Sequence, residues 1–313
     1  MNSISNKAKQ FLLVLAKLLI VAGAFYYLGH QLQASNTLDW TKIANKFTFV
    51  SLLGIVSLSL INWILEILKW QNLVSYVHQI SFKESMKQTL GSLTASIFTP
   101  NRIGEYGAKM LYFDKKEAKK IVLLNLIGNT TQMLVTSFFG VFGLVITGLH
   151  LEFFREIYNE ILVIALLLII LLTLAYVFRK REFIYGFTIE KLVTKIKEVP
   201  RNIYRSNFQL ATMRYLVFSH QFYFLLLLFG VSISYPIALA TLFVMYFIAS
   251  IVPTIHLMDV VIKGSVAVFL FAKLGVNEWI IVSITFLMWL FNLVIPVVMG
   301  SFFVMRFKPK AIV

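Results

Sequence analysis

The sequence contains no cysteine, which excludes disulfides and thiolate-held metals and leaves cysteine usage silent about the redox compartment. Its five histidines, His30, His78, His150, His220 and His256, never stand at i, i+4, the spacing that puts two imidazoles on one helix face. They read as interfacial or packed side chains, and no metal site is predicted. Paired carboxylates at metal-binding spacing, a nucleophile elbow and a zincin motif are also missing, so no catalytic residue and no cofactor is expected. The short alternating segments of a membrane barrel are absent too. Acidic residues are scarce, 14 against 29 Lys and Arg, for a net charge of +15.

What fills the chain instead is apolar sequence: 59% of its 313 residues are hydrophobic and only 14% are charged. Several runs are long enough to cross a hydrocarbon core of about 30 Å, where no water satisfies the backbone and a spanning run must be helical. The expected fold class is therefore all-α, a polytopic membrane protein of about eight crossings plus re-entrant or broken helices. The apolar runs fall at 11–29, 47–68, 121–148, 161–178, 215–231, 237–252, 260–274 and 279–305. The first is too long for a typical signal peptide and lacks a small-residue cleavage site. One membrane domain covers 1–313, with halves at about 1–178 and 213–313 joined by a basic segment at 179–212 read as an interfacial or cytoplasmic helix.

The charges distribute by side. Nine Lys or Arg lie between Lys69 and Lys120 and nine more between Arg179 and Arg214, while the loop from His30 to Lys46 has two. The positive-inside rule therefore predicts both termini on the cytoplasmic side, with the plasma membrane as the expected location, and it explains most of the net charge without nucleic acid. Capture of anionic head groups by the basic loops is the alternative use of the same cations.

Two stretches carry charge where the chain is otherwise greasy. In "INWILEILKW", Asn62, Glu66 and Lys69 follow at i+4 and i+3 and so share one face, which is predicted to look inward. In "SLTASIFTPNRIGEYGAKMLYF", residues 90–99 supply about half a span, Pro100 interrupts it, and Gly104 and Gly107 are expected to allow close packing around a resumed helix. A helix that enters and turns back fits this pattern. Arg102 beside the positive end of a helix restarting near Ile103 would suit an anionic phosphate, and Glu105 and Lys109, at i, i+4, would pair. The alternative puts Arg102, Glu105 and Lys109 at the cytoplasmic interface, where salt bridges hold the hairpin in register. Later, "ASIVPTIHLMDVVIKGS" repeats the arrangement: Pro253 precedes Asp259, and Lys263 follows at i+4. Two Pro-interrupted segments in separate halves are what a repeat-built transporter shows, with its site at their interface; chance or a plain structural pair is the other reading.

These residues also carry a family resemblance. "TPNRIGEYGAKML", the "NWILEILKW" helix end, and the later Pro-led segment followed by Gly275 and a long terminal helix resemble the flippase-like transmembrane region of lysylphosphatidylglycerol synthases and its stand-alone relatives. The resemblance covers nearly the whole chain, and its most specific part is Pro100, Arg102, Gly104 and Glu105. The second segment departs from the pattern, where a Gly-rich stretch and a Glu are expected and "PTIHLMDVVIKG" stands, so roles for Asp259 and Lys263 stay open.

The resemblance implies movement of a lipid head group across the bilayer, or association with enzymes that build polyprenyl-linked or aminoacylated lipids. Aminoacyl-transferring members carry a large soluble synthetase domain. Here eight residues follow Met305 and no cytoplasmic loop nears the ~100 residues of an ordinary domain, so lipid aminoacylation by this chain alone is not expected. The leading expectation is a translocator of an anionic phospholipid or polyprenyl-linked lipid, with Arg102, Glu105, Lys109, Asn62, Glu66, Asp259 and Lys263 along its path. The alternatives are an intramembrane transferase using a lipid-linked donor and a non-catalytic membrane partner of a separate lipid-modifying enzyme. The lipid, the direction, the energy source and the oligomeric state are not legible.

Overall fold

The computed structural model describes residues 47–150, 188–252 and 254–307, together with Tyr26 and His30. The expected crossings at 11–29 and 161–178 lie outside the described residues, apart from Tyr26 in the first, and so does Pro253. Throughout the described residues the elements are helices: α1 (Phe49–Val74), α2 (Phe82–Ser96), α3 (Ile103–Met110), α4 (Ala118–His150), α5 (Ile189–Lys197), α6 (Arg201–Leu228), α7 (Tyr235–Ile251), α8 (Asp259–Ala272) and α9 (Glu278–Met305). The chain is an all-helical membrane protein. Three of these helices, α1, residues Ala118–Gly148 of α4, and α9, are long and apolar enough to cross a bilayer by length and composition.

Local chemistry sets the helix starts. The Thr48 hydroxyl accepts the Ser51 N–H at 3.2 Å and caps α1. Ser81 and Glu84 form a reciprocal capping box at the start of α2, satisfying two amides that the first turn leaves without helical partners. Pro236 stands in the first turn of α7, where its missing N–H costs nothing. At the end of α6, Gly230 takes φ 78°, a left-handed conformation that ends the helix, and the Val231 N–H returns to the Leu226 carbonyl.

Between α1 and α4 the chain is broken into two short helices, as Pro100 led one to expect. At 1.5 Å per residue, the 15 residues of α2 span about 22 Å and the eight of α3 about 12 Å, each short of a full crossing. Trp70 Nε1 donates to Gln88 Oε1 at 2.8 Å and Ser85 Oγ donates to the Ile67 carbonyl at 2.7 Å, fastening α2 to α1. On its other side α2 meets α9 backbone to backbone: a Cβ on Gly300 would run into the Leu90 carbonyl and the Thr94 hydroxyl. Gly143 likewise brings α4 close to the Ala240 carbonyl of α7, 2.6 Å from where a Cβ would sit. Small residues at helix contacts permit this in a membrane, where lipid tails remove the hydrophobic drive for association and close packing must supply it.

Phe222, Leu225, Phe243, Val268, Phe271 and Ile284 form the largest core, at the meeting of α6, α7, α8 and α9. A second core at the other end of α1 joins Trp70, Leu73, Ile121 and Leu124 to Val199 and Ile203. It corrects the reading of the basic segment. Residues 201–212 are not a separate cytoplasmic helix but the first turns of α6, which runs unbroken to Leu228 because no Gly or Pro interrupts it. Only Ile189–Lys197 stands as a helix of its own there. Large apolar side chains elsewhere point outward, among them Leu134, Phe138 and Val145 on α4 and Val298 and Phe302 on α9.

Candidate functional site

The two Pro-led segments meet. Pro100 and Ile255 form an antiparallel bridge; Asn101 N donates to the Thr254 carbonyl at 2.9 Å, and Thr254 N donates to Asn101 Oδ1 at 3.1 Å. Leu257 N then reaches the Ile97 carbonyl at 3.2 Å. Each interrupted segment thus supplies partners for the other's unwound backbone, whose polar groups are costly to leave unpaired when buried. The joint is tight enough to hold Asn101 and Arg102 at positive φ, 48° and 58°, the two non-glycine residues so placed among the described residues. Asn adopts that conformation readily; Arg does so at a steric cost and only where its surroundings impose it.

Beside this joint lies a cavity of about 420 Å³. Of the residues expected to matter, Asn62, Glu66, Arg102, Asp259 and Lys263 line it, together with Lys69 from the same face of α1. Glu66 bridges two cations, Lys69 at 2.6 Å and Arg214 at 3.2 Å. Across the cavity Asp259 holds Lys263 at 2.9 Å, with His256 Nδ1 at 3.7 Å. Arg102 stands between the two clusters, bound to Glu105 at 3.0 Å.

Glu105 and Lys109 do not line the cavity. They pair at 2.7 Å behind Arg102, with side chains 1% and 3% exposed. The Lys109 ammonium also donates to Asn125 Oδ1 at 2.8 Å and sits 4.0 Å from the centroid of the Trp70 ring, an attractive position for a cation. Solvated interfacial bridges are therefore not what these two residues make. They hold the register of the hairpin from inside the protein, and Glu105 aims Arg102.

Two expectations need correction. The start of α3 does not offer its amides to an anion: Ile103 N donates to the Pro100 carbonyl, Gly104 N to Thr99 Oγ1 and Glu105 N to the Arg102 carbonyl, each at 3.0 Å. Positive charge at the site comes from side chains. Gly104 is where close packing is needed, since a Cβ there would sit 2.7 Å from Thr99 Cγ2. Gly107 faces open space, with nothing within 4 Å of a Cβ, and packs against nothing.

Sequence reasoning missed Arg214, Gln132 and Asn292. Arg214 Nη1 donates to Gln132 Oε1 at 3.3 Å as well as pairing with Glu66. Its signal was the unbroken helical run from Arg201, which carries that position into the membrane unit and out of the loop. Asn292 lies in a π-helical turn, Leu290–Val294, inside α9. Such turns insert a residue into the helix and re-aim its neighbours, often at functional sites. Asn62 Nδ2 donates to Asn292 Oδ1 at 2.9 Å, Asn292 Nδ2 to Gln221 Oε1 at 2.9 Å, and Gln221 Nε2 to Ser59 Oγ at 2.7 Å, a chain that locks α1, α6 and α9 under the cavity.

Phe218, Phe222, Met245 and Trp289 give the cavity apolar wall beside these polar groups. Met133 of α4 and Ser250 of α7 line it and are also exposed, so it reaches the outer surface between those helices. Cations beside apolar wall in a cavity that reaches the surface suit an amphiphile with an anionic head and a long tail.

The model of the family described as lysylphosphatidylglycerol synthase TM region matches residues 14–300, and the chain belongs to that family. No curated protein and no solved structure matches the chain.

Proposed function

We propose that this member of the lysylphosphatidylglycerol synthase transmembrane-region family moves an anionic phospholipid or polyprenyl-linked lipid between the leaflets of the plasma membrane, with both chain termini in the cytoplasm. The observation that supports it is the cavity that reaches the surface beside Met133 and Ser250 and carries apolar wall next to Arg102 and the Glu66–Lys69–Arg214 cluster. A head group enters between α4 and α7 while its tails stay against the exposed apolar faces of those helices. Arg102 takes the phosphate, held in place by Glu105 and by the Asn101–Thr254 joint. Asp259 and Lys263 line the far side, and rearrangement of the joint passes the head group on. The reading assigns no bond-making step to this chain; a separate lipid-modifying enzyme would supply or consume its cargo.

The experiment is inter-leaflet movement of fluorescent lipids in proteoliposomes, read by chemical quenching of the outer leaflet. The wild type accelerates movement of at least one anionic lipid, and Arg102→Ala lowers the rate about tenfold or more, the usual scale for losing a buried charge-assisted contact. Folded protein that moves no phospholipid and no polyprenyl lipid overturns the reading.

A further inference from the structure

Building on that translocator reading, we infer that the cavity holds a head group carrying two negative charges, a phosphomonoester or a diphosphate, in preference to a singly charged phosphodiester. The charge balance of the site carries the inference. Lys69, Arg102, Arg214 and Lys263 line the cavity against Glu66 and Asp259, so four cations less two carboxylates leave two positive charges. Counting the pair behind them changes nothing, because Glu105 and Lys109 cancel: five less three is again two.

Neither lining carboxylate can absorb the surplus. Glu66 is already shared by two cations and Asp259 is held by Lys263. Arg102 and Arg214 both line the cavity, and guanidinium groups match phosphate oxygens in geometry as well as in charge. The amides at the start of α3 are engaged within the hairpin, so these side chains alone set the charge that the site requires. A single charge bound beside them would leave one cation uncompensated, whereas a phosphomonoester, at about −1.5 to −2 near pH 7, neutralises the site. A volume of about 420 Å³ falls within the range of small-molecule pockets and accommodates such a head group.

The test is a binding series on the full chain in nanodiscs, followed by the fluorescence of Trp63 and Trp289, which line the cavity. The probes are short-chain phosphatidic acid, phosphatidylglycerol and phosphatidylcholine, with inorganic phosphate as the soluble source of the same group. Phosphatidic acid is expected to bind about tenfold or more tightly than phosphatidylglycerol, in keeping with one further charge close to the cations, and phosphatidylcholine most weakly. Equal affinity for phosphatidic acid and phosphatidylglycerol overturns the inference and leaves the translocator reading to the flux assay. Inorganic phosphate binding as tightly as phosphatidic acid keeps the doubly charged ligand and overturns a lipid as its source. Selective binding of phosphatidic acid with no movement of any lipid overturns the translocator reading and not the site.

Charge variants supply a second arm read as a ratio, so a general loss of affinity does not obscure it. Lys263→Gln lowers the surplus to one and narrows the preference. Adding Asp259→Asn in the same chain returns the surplus to two and widens it again. A double variant whose ratio stays narrow overturns the inference.

Discussion

The two Pro-led segments carry nearly the same spacing of charge and put it to different uses. In the first, Glu105 and Lys109 are sealed between Arg102, Asn125 and the Trp70 ring, with side chains 1% and 3% exposed. In the second, Asp259 and Lys263 pair at a similar distance, 2.9 Å, but are 25% and 33% exposed and face the cavity. An acid and a lysine at i, i+4 therefore do not announce a role. What surrounds the pair decides whether it is scaffold or lining, and here that is whether α1 and α4 close over it.

The largest expected break in this contrast comes from Glu105→Gln. It leaves Arg102 and Lys109 buried without their carboxylate, and breaking a buried pair costs about 3 to 5 kcal/mol, so thermal unfolding in detergent should drop sharply. The matching change in the second segment, Asp259→Asn, should cost about 1 kcal/mol or less, because a partly exposed pair is screened by water. Similar losses in the two variants would remove the distinction between scaffold and lining.

Gly104→Ala is next in size. Its Cβ would press on Thr99, whose hydroxyl accepts the Gly104 N–H, and overpacking of this kind costs about 1 to 3 kcal/mol. The joint between the segments is probed by Asn101→Ala, which strips the Thr254 N–H of its acceptor and should cost about 1 to 2 kcal/mol, while slowing lipid movement more than the stability loss accounts for. Gly107→Ala is the smallest and has the opposite sign: with open space around it, the substitution should stabilise α3 by about 0.5 to 1 kcal/mol, read as a higher midpoint of thermal unfolding.

Much of the fold was legible because its signals are local. The apolar runs, and Pro100 with Gly104 after it, each act within a few residues. The inward face of Asn62, Glu66 and Lys69 was legible for the same reason, since helical spacing alone puts them together. Arg214 was misplaced because positive charge near a span usually marks a loop, and only the continuity of α6 contradicts that habit. Glu105 and Lys109 were found as a pair, but their position behind Arg102 depends on Asn125 and Trp70 from other helices. Gly107 misled for a related reason: a glycine's spacing tells what it permits, and only its neighbours tell whether anything uses that permission.

The sequence by itself determined that this is a helical membrane protein with an apolar helix interrupted at Pro100 and charges set within apolar sequence at 62–69 and 102–109, because hydrophobicity, proline and helical period are properties of the chain. Tertiary structure alone decided that the two breaks pair through Pro100 and Ile255, that Arg214 joins Glu66 across the bundle, and that Asn292 reaches Asn62 from a π-helical turn. Those contacts join residues far apart in the chain. Their geometry is set by helix packing and by the requirement that buried backbone and charge find partners, which no local pattern encodes.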